Sequence, residues 1–429
     1  MERTWELSRA KQLKYSRRKP EETQLYRIVY HNRQELEYQW EDRFQSEYGV
    51  LRDVVKDTLD SYLNCGILAH GAARVRCPRC NHSVLIAFSC KKRGICPSCQ
   101  AKRAIIFAEH LHSQILAPIP HRHIVFSIPK RLRIYFRYER KLNSLLLKSA
   151  WLSIQGLYRS AIPDSTPAAI LCIQTAGESL NFNPHVHGII ADGAFLHDGV
   201  FQPLHLSTDA LTEVFSHTLM NALKELGHLH DSVIEQILSW QHCGFSAWTG
   251  EQISPTDSSA RQFIARYIDR GPVANSKIQI TDDIITYLTD SALTHEFSAT
   301  EFLARITPHI PDKWEQTVRY YGFYSARTRG KRRLVQPQSL SVIPELDKRK
   351  ASKTWVALIK KIYELDPLLC PKCNEFMKIV AFITNHRELE KIISNLNIQP
   401  YKTPPPITSP PTIDSSYSPF FDDLQTVAD

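Results

Sequence analysis

Two Cys-x-x-Cys pairs, Cys77/Cys80 and Cys96/Cys99, enclose 15 residues. No other feature limits the fold of this chain so tightly. The spacing C-x₂-C-x₁₅-C-x₂-C is that of a structural zinc site, in which each pair makes a tight turn and its two thiolates hold one side of a tetrahedral ion. Ser83-Val84-Leu85-Ile86-Ala87-Phe88, between the pairs, reads as a strand. A zinc ribbon built on Cys77, Cys80, Cys96 and Cys99 is therefore expected. Cys90 and His82 lie close in sequence as donors that could replace one of the four. The chain has ten cysteines, and Met1 to Pro20 is polar and basic with no apolar stretch. We expect no secretory leader, and hence metal rather than disulfides. A third pair, Cys370/Cys373, has no partner pair downstream. Two thiolates do not complete a zinc site, so this pair is either degenerate or recruits His386 or another chain.

A second stretch bears on chemistry: Gly177-Glu178-Ser179-Leu180-Asn181-Phe182-Asn183-Pro184-His185-Val186-His187-Gly188-Ile189-Ile190. In a strand the side chains alternate, so His185 and His187 share one face and Val186 takes the other. Two imidazoles side by side can bind one divalent metal. His121 and His123 have the same spacing, but at a strand start beside Pro120. The later pair is the preferred metal pair.

The rest of the chain suggests a mixed α+β protein. Helical spacing of apolar residues runs through 21–63, 102–116, 131–158, 206–240, 260–270 and 297–308. Strands are expected at 121–129, 168–175 and 185–190, the last two as an antiparallel pair. A helix over 352–365 precedes Cys370, and a Pro/Ser/Thr-rich tail, expected to be disordered, closes the chain. We divide the chain into a basic flexible arm (1–20), a helical plus zinc-binding domain (21–116), a catalytic core (117–300), a C-terminal helical region (301–397) and the tail (398–429). The 429 residues carry a formal net charge of +9, which suits a polyanionic partner. No apolar run approaches the roughly 18 residues that a membrane helix requires.

Six motifs, in one order, carry a resemblance. They are Cys77-x-x-Cys80 with Ser89-Cys90-Lys91 and Cys96-Pro97-Ser98-Cys99; His123-Ile124-Val125-Phe126 with Ile128-Pro129-Lys130; Asn181-Phe182-Asn183-Pro184-His185-Val186-His187; Arg266-Tyr267-Ile268-x-Arg270; Arg319-Tyr320-Tyr321-Gly322; and Asp366-Pro367-Leu368-Leu369-Cys370-Pro371-x-Cys373. Together they make the chain resemble the rolling-circle insertion-sequence transposases of the HUH class, the insertion-sequence ninety-one-like group with its common-region relatives. The match runs from around residue 50 to residue 395.

The resemblance implies a fold, a chemistry and a set of residues. The fold would be an HUH-type antiparallel sheet flanked by helices, with an N-terminal zinc-ribbon module and a helical C-terminal region. The chemistry would be cleavage and rejoining of single-stranded or hairpin DNA ends through a 5′-phosphotyrosine. His185 and His187 would hold magnesium or manganese, and Tyr267 would be the nucleophile. Glu178 is the favoured third ligand, with Asn183 and Gln174 as alternatives. Arg266, Arg270, Lys331, Arg332 and Arg333 would contact DNA, and zinc would be structural. Two-tyrosine members carry a second tyrosine one helical turn before the first. Phe263 stands there, so the chain resembles the single-tyrosine branch. Tyr320, Tyr321 and Tyr324 are rival nucleophiles, rated structural or DNA-stacking. A replication initiator or relaxase with the same chemistry, and a non-catalytic zinc-ribbon DNA-binding protein, are the alternatives. The expected location is the bacterial cytoplasm, on the nucleoid when DNA is bound.

Overall fold

Four long alternating or apolar stretches make most of a six-stranded central sheet. The computed structural model of the chain describes residues 19–240, 243–335, 370–373, 375–396 and 398. Almost all of the basic arm, the helix expected over 352–365 and the tail beyond residue 398 lie outside the described residues.

The chain opens with α1 (Gln24–Gln39), a π turn, α2 (Gln45–Tyr48) and α3 (Asp53–Leu63). The hairpin β1 (Ala72–Arg76) and β2 (Ser83–Ala87) follows, then α4 (Pro97–His110). The central part comprises β3 (His121–Ser127), α5 (Lys130–Tyr138), α6 (Leu142–Ala161), β4 (Thr166–Ala176), β5 (Phe182–Phe195), β6 (Phe201–Pro203), α7 (Thr208–Glu225), α8 (Asp231–Ser239), β7 (Ser246–Ile253) and α9 (Ser258–Ile268). Next come β8 (Ile278–Thr281), β9 (Ile284–Leu288), β10 (Thr294–Phe297) and α10 (Ala299–Ile306). The described C-terminal elements are β11 (Val318–Gly322), α11 (Ala326–Val335), β12 (Lys378–Ile383) and α12 (His386–Asn395).

The central sheet has the order β11-β4-β5-β3-β7, with β6 on the far end of β5. Every described pairing in it is antiparallel. β5, which carries His185 and His187, lies in the middle. One face is apolar: Ile124, Phe126, Leu171, Ile173, Val186 and Ile190 pack with Leu146, Leu147, Ile154, Phe215 and Leu219 from α6 and α7. This burial, worth roughly 1.5–3 kcal/mol per large side chain, fixes the register of β5. A slip of one residue would turn both histidines into that core. Gly188 helps to hold the strands close, since a Cβ there would lie 2.9 Å from the carbonyl oxygen of Ile170.

The opposite face is covered only in part. Ile264, Ala265 and Ile268 of α9 pack on Ile170, Cys172 and Ile189, together with Tyr324 and Leu111. A second core joins α1 and α3 to α10 and the small sheet β10-β9-β8. The region expected as C-terminal and helical also supplies strands. β11 extends the central sheet against β4, and β12 pairs with β1 in the N-terminal module. The residues 318–322 gave no clear strand signal because they combine two tyrosines with an arginine and end in Gly322.

Candidate active site and cysteine centres

Three imidazoles meet on the open face of the central sheet. His185 and His187 stand on β5, and His123 stands on β3. Register pairs Val125 with His187 and His123 with Ile189, so His123 is the diagonal neighbour of His187 on the same face. His123 Nε2 lies 3.0 Å from His187 Nδ1, with the rings nearly parallel at 7°. The His185 ring centroid is 4.8 Å from that of His187. His185 donates from Nδ1 to the carbonyl of Asn183 at 2.6 Å, which fixes its tautomer and leaves Nε2 as the lone-pair nitrogen.

Burial holds all three rings neutral. It lowers His123 to about 4 and depresses His187 further, helped by the neighbouring His185, His123 and Arg270. His185 is also lowered, chiefly by burial. Neutral imidazole is the metal-binding form. Two nitrogens roughly 3 Å apart suit adjacent donors on one ion at metal–nitrogen distances of about 2.0–2.1 Å. The spacing of His123 and His187 suits two donors to one divalent ion; among the described residues, the groups in which three or more donor atoms converge on one point are the two cysteine clusters.

Tyr267 closes the cluster from the last turn of α9. Its ring meets His187 edge-on at 5.4 Å and His123 at 5.6 Å between centroids. The Arg270 guanidinium sits 4.5 Å over the same ring. Several contacts hold this helix in place. Asp257 caps it by accepting from the Ala260 N–H at 2.8 Å. Arg261, buried, donates to the carbonyls of Pro255, Leu116 and Ala117. Gln174 on β4 donates its amide to the carbonyls of Tyr267 and Ile268, at 3.2 and 3.0 Å. Gln100 donates to the Asp269 carbonyl. The carbonyls that a helix end leaves unpaired are thus taken up by groups that belong to the sheet and to α4.

Glu178, expected as the third ligand, does not join the cluster. The turn closed by the Gly177 N–H to Asn181 carbonyl bond places Glu178 outside the ladder. Its carboxylate instead accepts from the Ser291 N–H, which also lowers its pKa. The third imidazole on the sheet face is His123, from the pair that looked less favourable because of its place at a strand start. The structure separates the two histidines of that pair. His121 is buried with Nε2 against the Tyr324 hydroxyl at 2.6 Å, and only His123 reaches the cluster.

The rival tyrosines have structural partners. Tyr324 is fully buried and its hydroxyl also accepts from the Ala117 N–H. Tyr321 stacks on Trp151, and Arg329 lies over Tyr320. A cavity of about 830 Å³ opens beside the histidines, lined by His185, His187, Tyr267, Arg93, Arg270 and Lys277 among others. Arg266 and Arg270 are exposed, and the Arg266 Nε donates to the Gln262 carbonyl. On α11, Lys331 is exposed. Arg332 stacks 3.5 Å over Phe323 and donates to its carbonyl, which makes it part of the scaffold. The Arg333 side chain lies outside the described residues.

The cysteines divide differently from the expected ribbon. Cys96 and Cys99 gather with Cys65 and Cys90, while Cys77 and Cys80 gather with Cys370 and Cys373. The expected tetrad Cys77, Cys80, Cys96 and Cys99 is therefore split. The physical reason is the antiparallel hairpin β1–β2, which carries Cys77 and Cys80 at its turn end and returns the chain to Cys90 at the other. In the first group the sulfurs of Cys65, Cys90 and Cys96 each lie 3.6 Å from a neighbouring sulfur. Tetrahedral zinc with Zn–S of about 2.3 Å sets its sulfurs roughly 3.8 Å apart, so the group fits structural zinc. Cys65 escaped detection because it ends a helix-like run and has no Cys-x-x-Cys partner. The even total of eight cysteines once Cys172 and Cys243 are set aside was the available signal.

Two family descriptions match the chain. "Transposase zinc-binding domain" matches residues 36–128 and "Putative transposase" matches residues 168–332. The transposase for insertion sequence element IS801 of Pseudomonas savastanoi pv. phaseolicola is 26% identical over 363 residues, covering 79% of this chain and 86% of that protein. Putative transposase y4qJ of Sinorhizobium fredii is 20% identical over 379 residues, covering 80% and 92% respectively. No solved structure matches the chain.

Proposed function

We propose that this chain, a transposase of the insertion-sequence group with an N-terminal zinc-binding domain, cleaves and rejoins single-stranded DNA ends through a phosphotyrosine on Tyr267. The observation that carries the proposal is the packing of the Tyr267 ring against His123 and His187, with Arg270 over it.

The Tyr267 hydroxyl oxygen would attack the scissile phosphorus. The new bond joins that oxygen to phosphorus, the P–O3′ bond breaks, and the departing 3′-oxygen takes up a proton. The 5′-phosphate stays on Tyr267, and attack by a 3′-hydroxyl reverses the step, so no external energy source is needed. A phenol with pKa ~10 lies about 4 kcal/mol from its ionised form at neutral pH. Arg270 offers a cation beside both the phenol and the cleft, where it would favour phenolate and the charge developing on phosphate. His123, His185 and His187 would hold magnesium or manganese, an imidazole set that favours manganese. When bound, the ion would polarise the scissile phosphate. Gln174 acts through position, by tying the end of α9 to β4.

Phe263, 66% exposed and stacked on Tyr267, and the exposed Trp248 beside His123 present rings on which unpaired bases stack. That supports single strands or hairpin ends as the substrate. An initiator or relaxase would use the same site. The match to a transposase zinc-binding domain favours transposition. A labelled single-stranded element end tests the reading. With manganese, the wild type should form a detergent-stable protein–DNA adduct, and Tyr267→Phe should bind the strand without forming one. An adduct formed by Tyr267→Phe would overturn the assignment.

A further inference from the structure

We infer that Cys77, Cys80, Cys370 and Cys373 bind a second zinc ion, which clasps the C-terminal segment onto the N-terminal module. The matched zinc-binding region ends at residue 128, so half of this site lies far outside it.

Three observations carry the inference. First, the sulfurs converge. Cys77 Sγ lies 3.5 Å from Cys373 Sγ, and Cys80 Sγ lies 3.4 Å from Cys370 Sγ and 3.5 Å from Cys373 Sγ. A disulfide needs about 2.05 Å, whereas four thiolates on zinc stand roughly 3.8 Å apart. Second, both pairs sit in knuckle turns. The Cys77 N–H donates to the His82 carbonyl, Asn81 returns a bond to the Cys77 carbonyl, and the Cys370 N–H donates to the Glu375 carbonyl. Asn81 takes a left-handed φ of 60° in the first turn, a conformation asparagine tolerates better than most residues. Third, a separate cluster packs Ile383, Leu389 and Ile393 on Leu68, Ala72 and Leu85, while beside the turns the cysteines themselves make much of the core. The buried residues there are Val75, Cys77, Cys370 and Met377, so two of the four are cysteines. β12 pairs with β1 but leaves Ile379, Val380 and Phe382 exposed. A core this small is of the kind that a structural metal completes.

The ion would close a loop from Cys77 to Cys373 and so make β12 the third strand of the β12-β1-β2 sheet. It also accounts for the pair that has no Cys-x-x-Cys partner downstream. Binding converts the four thiols to thiolates and releases their protons to solvent.

Zinc counted by plasma mass spectrometry on the full-length chain tests this. The His187→Ala background removes the imidazole cluster from the count. That protein should hold two zinc ions per chain, and adding Cys370→Ser with Cys373→Ser should leave one. A count of one before the cysteine change, or of two after it, would overturn the inference. If the cysteine variant does not fold, cobalt-substituted His187→Ala protein decides. Two equivalents with four-thiolate absorption support the site, and saturation at one equivalent contradicts it.

Discussion

His123 Nε2 and His187 Nδ1 stand 3.0 Å apart on neighbouring antiparallel strands, with their rings nearly parallel. Two neutral imidazoles at that separation make His123 a metal ligand in our account. His123→Ala should lower cleavage by more than about 100-fold, beyond the roughly 10–100-fold that the loss of an outer partner causes. Excess manganese should restore part of it. Glu178→Ala, which removes contacts with Ser291 and Thr289, should stay within about threefold. Cleavage rates on one labelled strand, with manganese titrated, compare the two. Equal losses would return Glu178 to the metal.

Gln174 holds the end of the helix that carries Tyr267. Gln174→Ala should lower the single-turnover cleavage rate by about tenfold, because a misplaced nucleophile loses near-attack geometry. DNA affinity should hold. Filter binding and quenched-flow cleavage separate the two effects. A matching fall in affinity would assign Gln174 to the DNA path instead.

Arg266 and Arg270 are exposed, Arg270 lining the cleft, whereas Arg332 is stacked on Phe323. Removing Arg266 and Arg270 together should reduce the slope of log affinity against log salt by roughly 2 × 0.7 for a single strand. Arg332→Ala should leave that slope unchanged and lower thermal stability. A changed slope in Arg332→Ala would place it on the DNA.

Burial lowers His121 to about 3 and His309 to about 4. Both are bases whose folded pKa lies below the unfolded value near 6.5, so the unfolded chain binds more protons between pH 6.5 and pH 4. Stability is then full above pH 6.5 and falls as pH falls through that window, by up to about 3 kcal/mol for each histidine. Denaturant midpoints of the apo protein at pH 7.0, 5.5 and 4.5 should decrease in that order. His309→Gln should flatten the decline.

The parts of this site set by local pattern were legible in the sequence. Alternation alone puts His185 and His187 on one face, and the Asp257 cap with Gly271-Pro272 brackets the helix of Tyr267. The neighbours set by tertiary register were not. His123 reaches His187 only because β3 lies beside β5 with Val125 opposite His187. Nothing in the local spacing tells it from His121, which the same register sends to Tyr324. The cysteines show the same limit. Spacing marked Cys77, Cys80, Cys96 and Cys99 as ligands, but which sulfurs share an ion depends on where the hairpin ends and on β12 returning from the far end of the chain.

The central claim is that Tyr267, and no other tyrosine, carries the DNA. Trypsin cuts after Arg266 and Arg270, releasing Tyr267-Ile268-Asp269-Arg270, while Tyr320, Tyr321 and Tyr324 fall together in the peptide after Arg319. The adduct formed on a single-stranded end is trimmed with nuclease, digested and sequenced by tandem mass spectrometry. The account predicts the nucleotide remnant on the Tyr267 peptide. A remnant on the peptide that follows Arg319, or on any other residue, would contradict it.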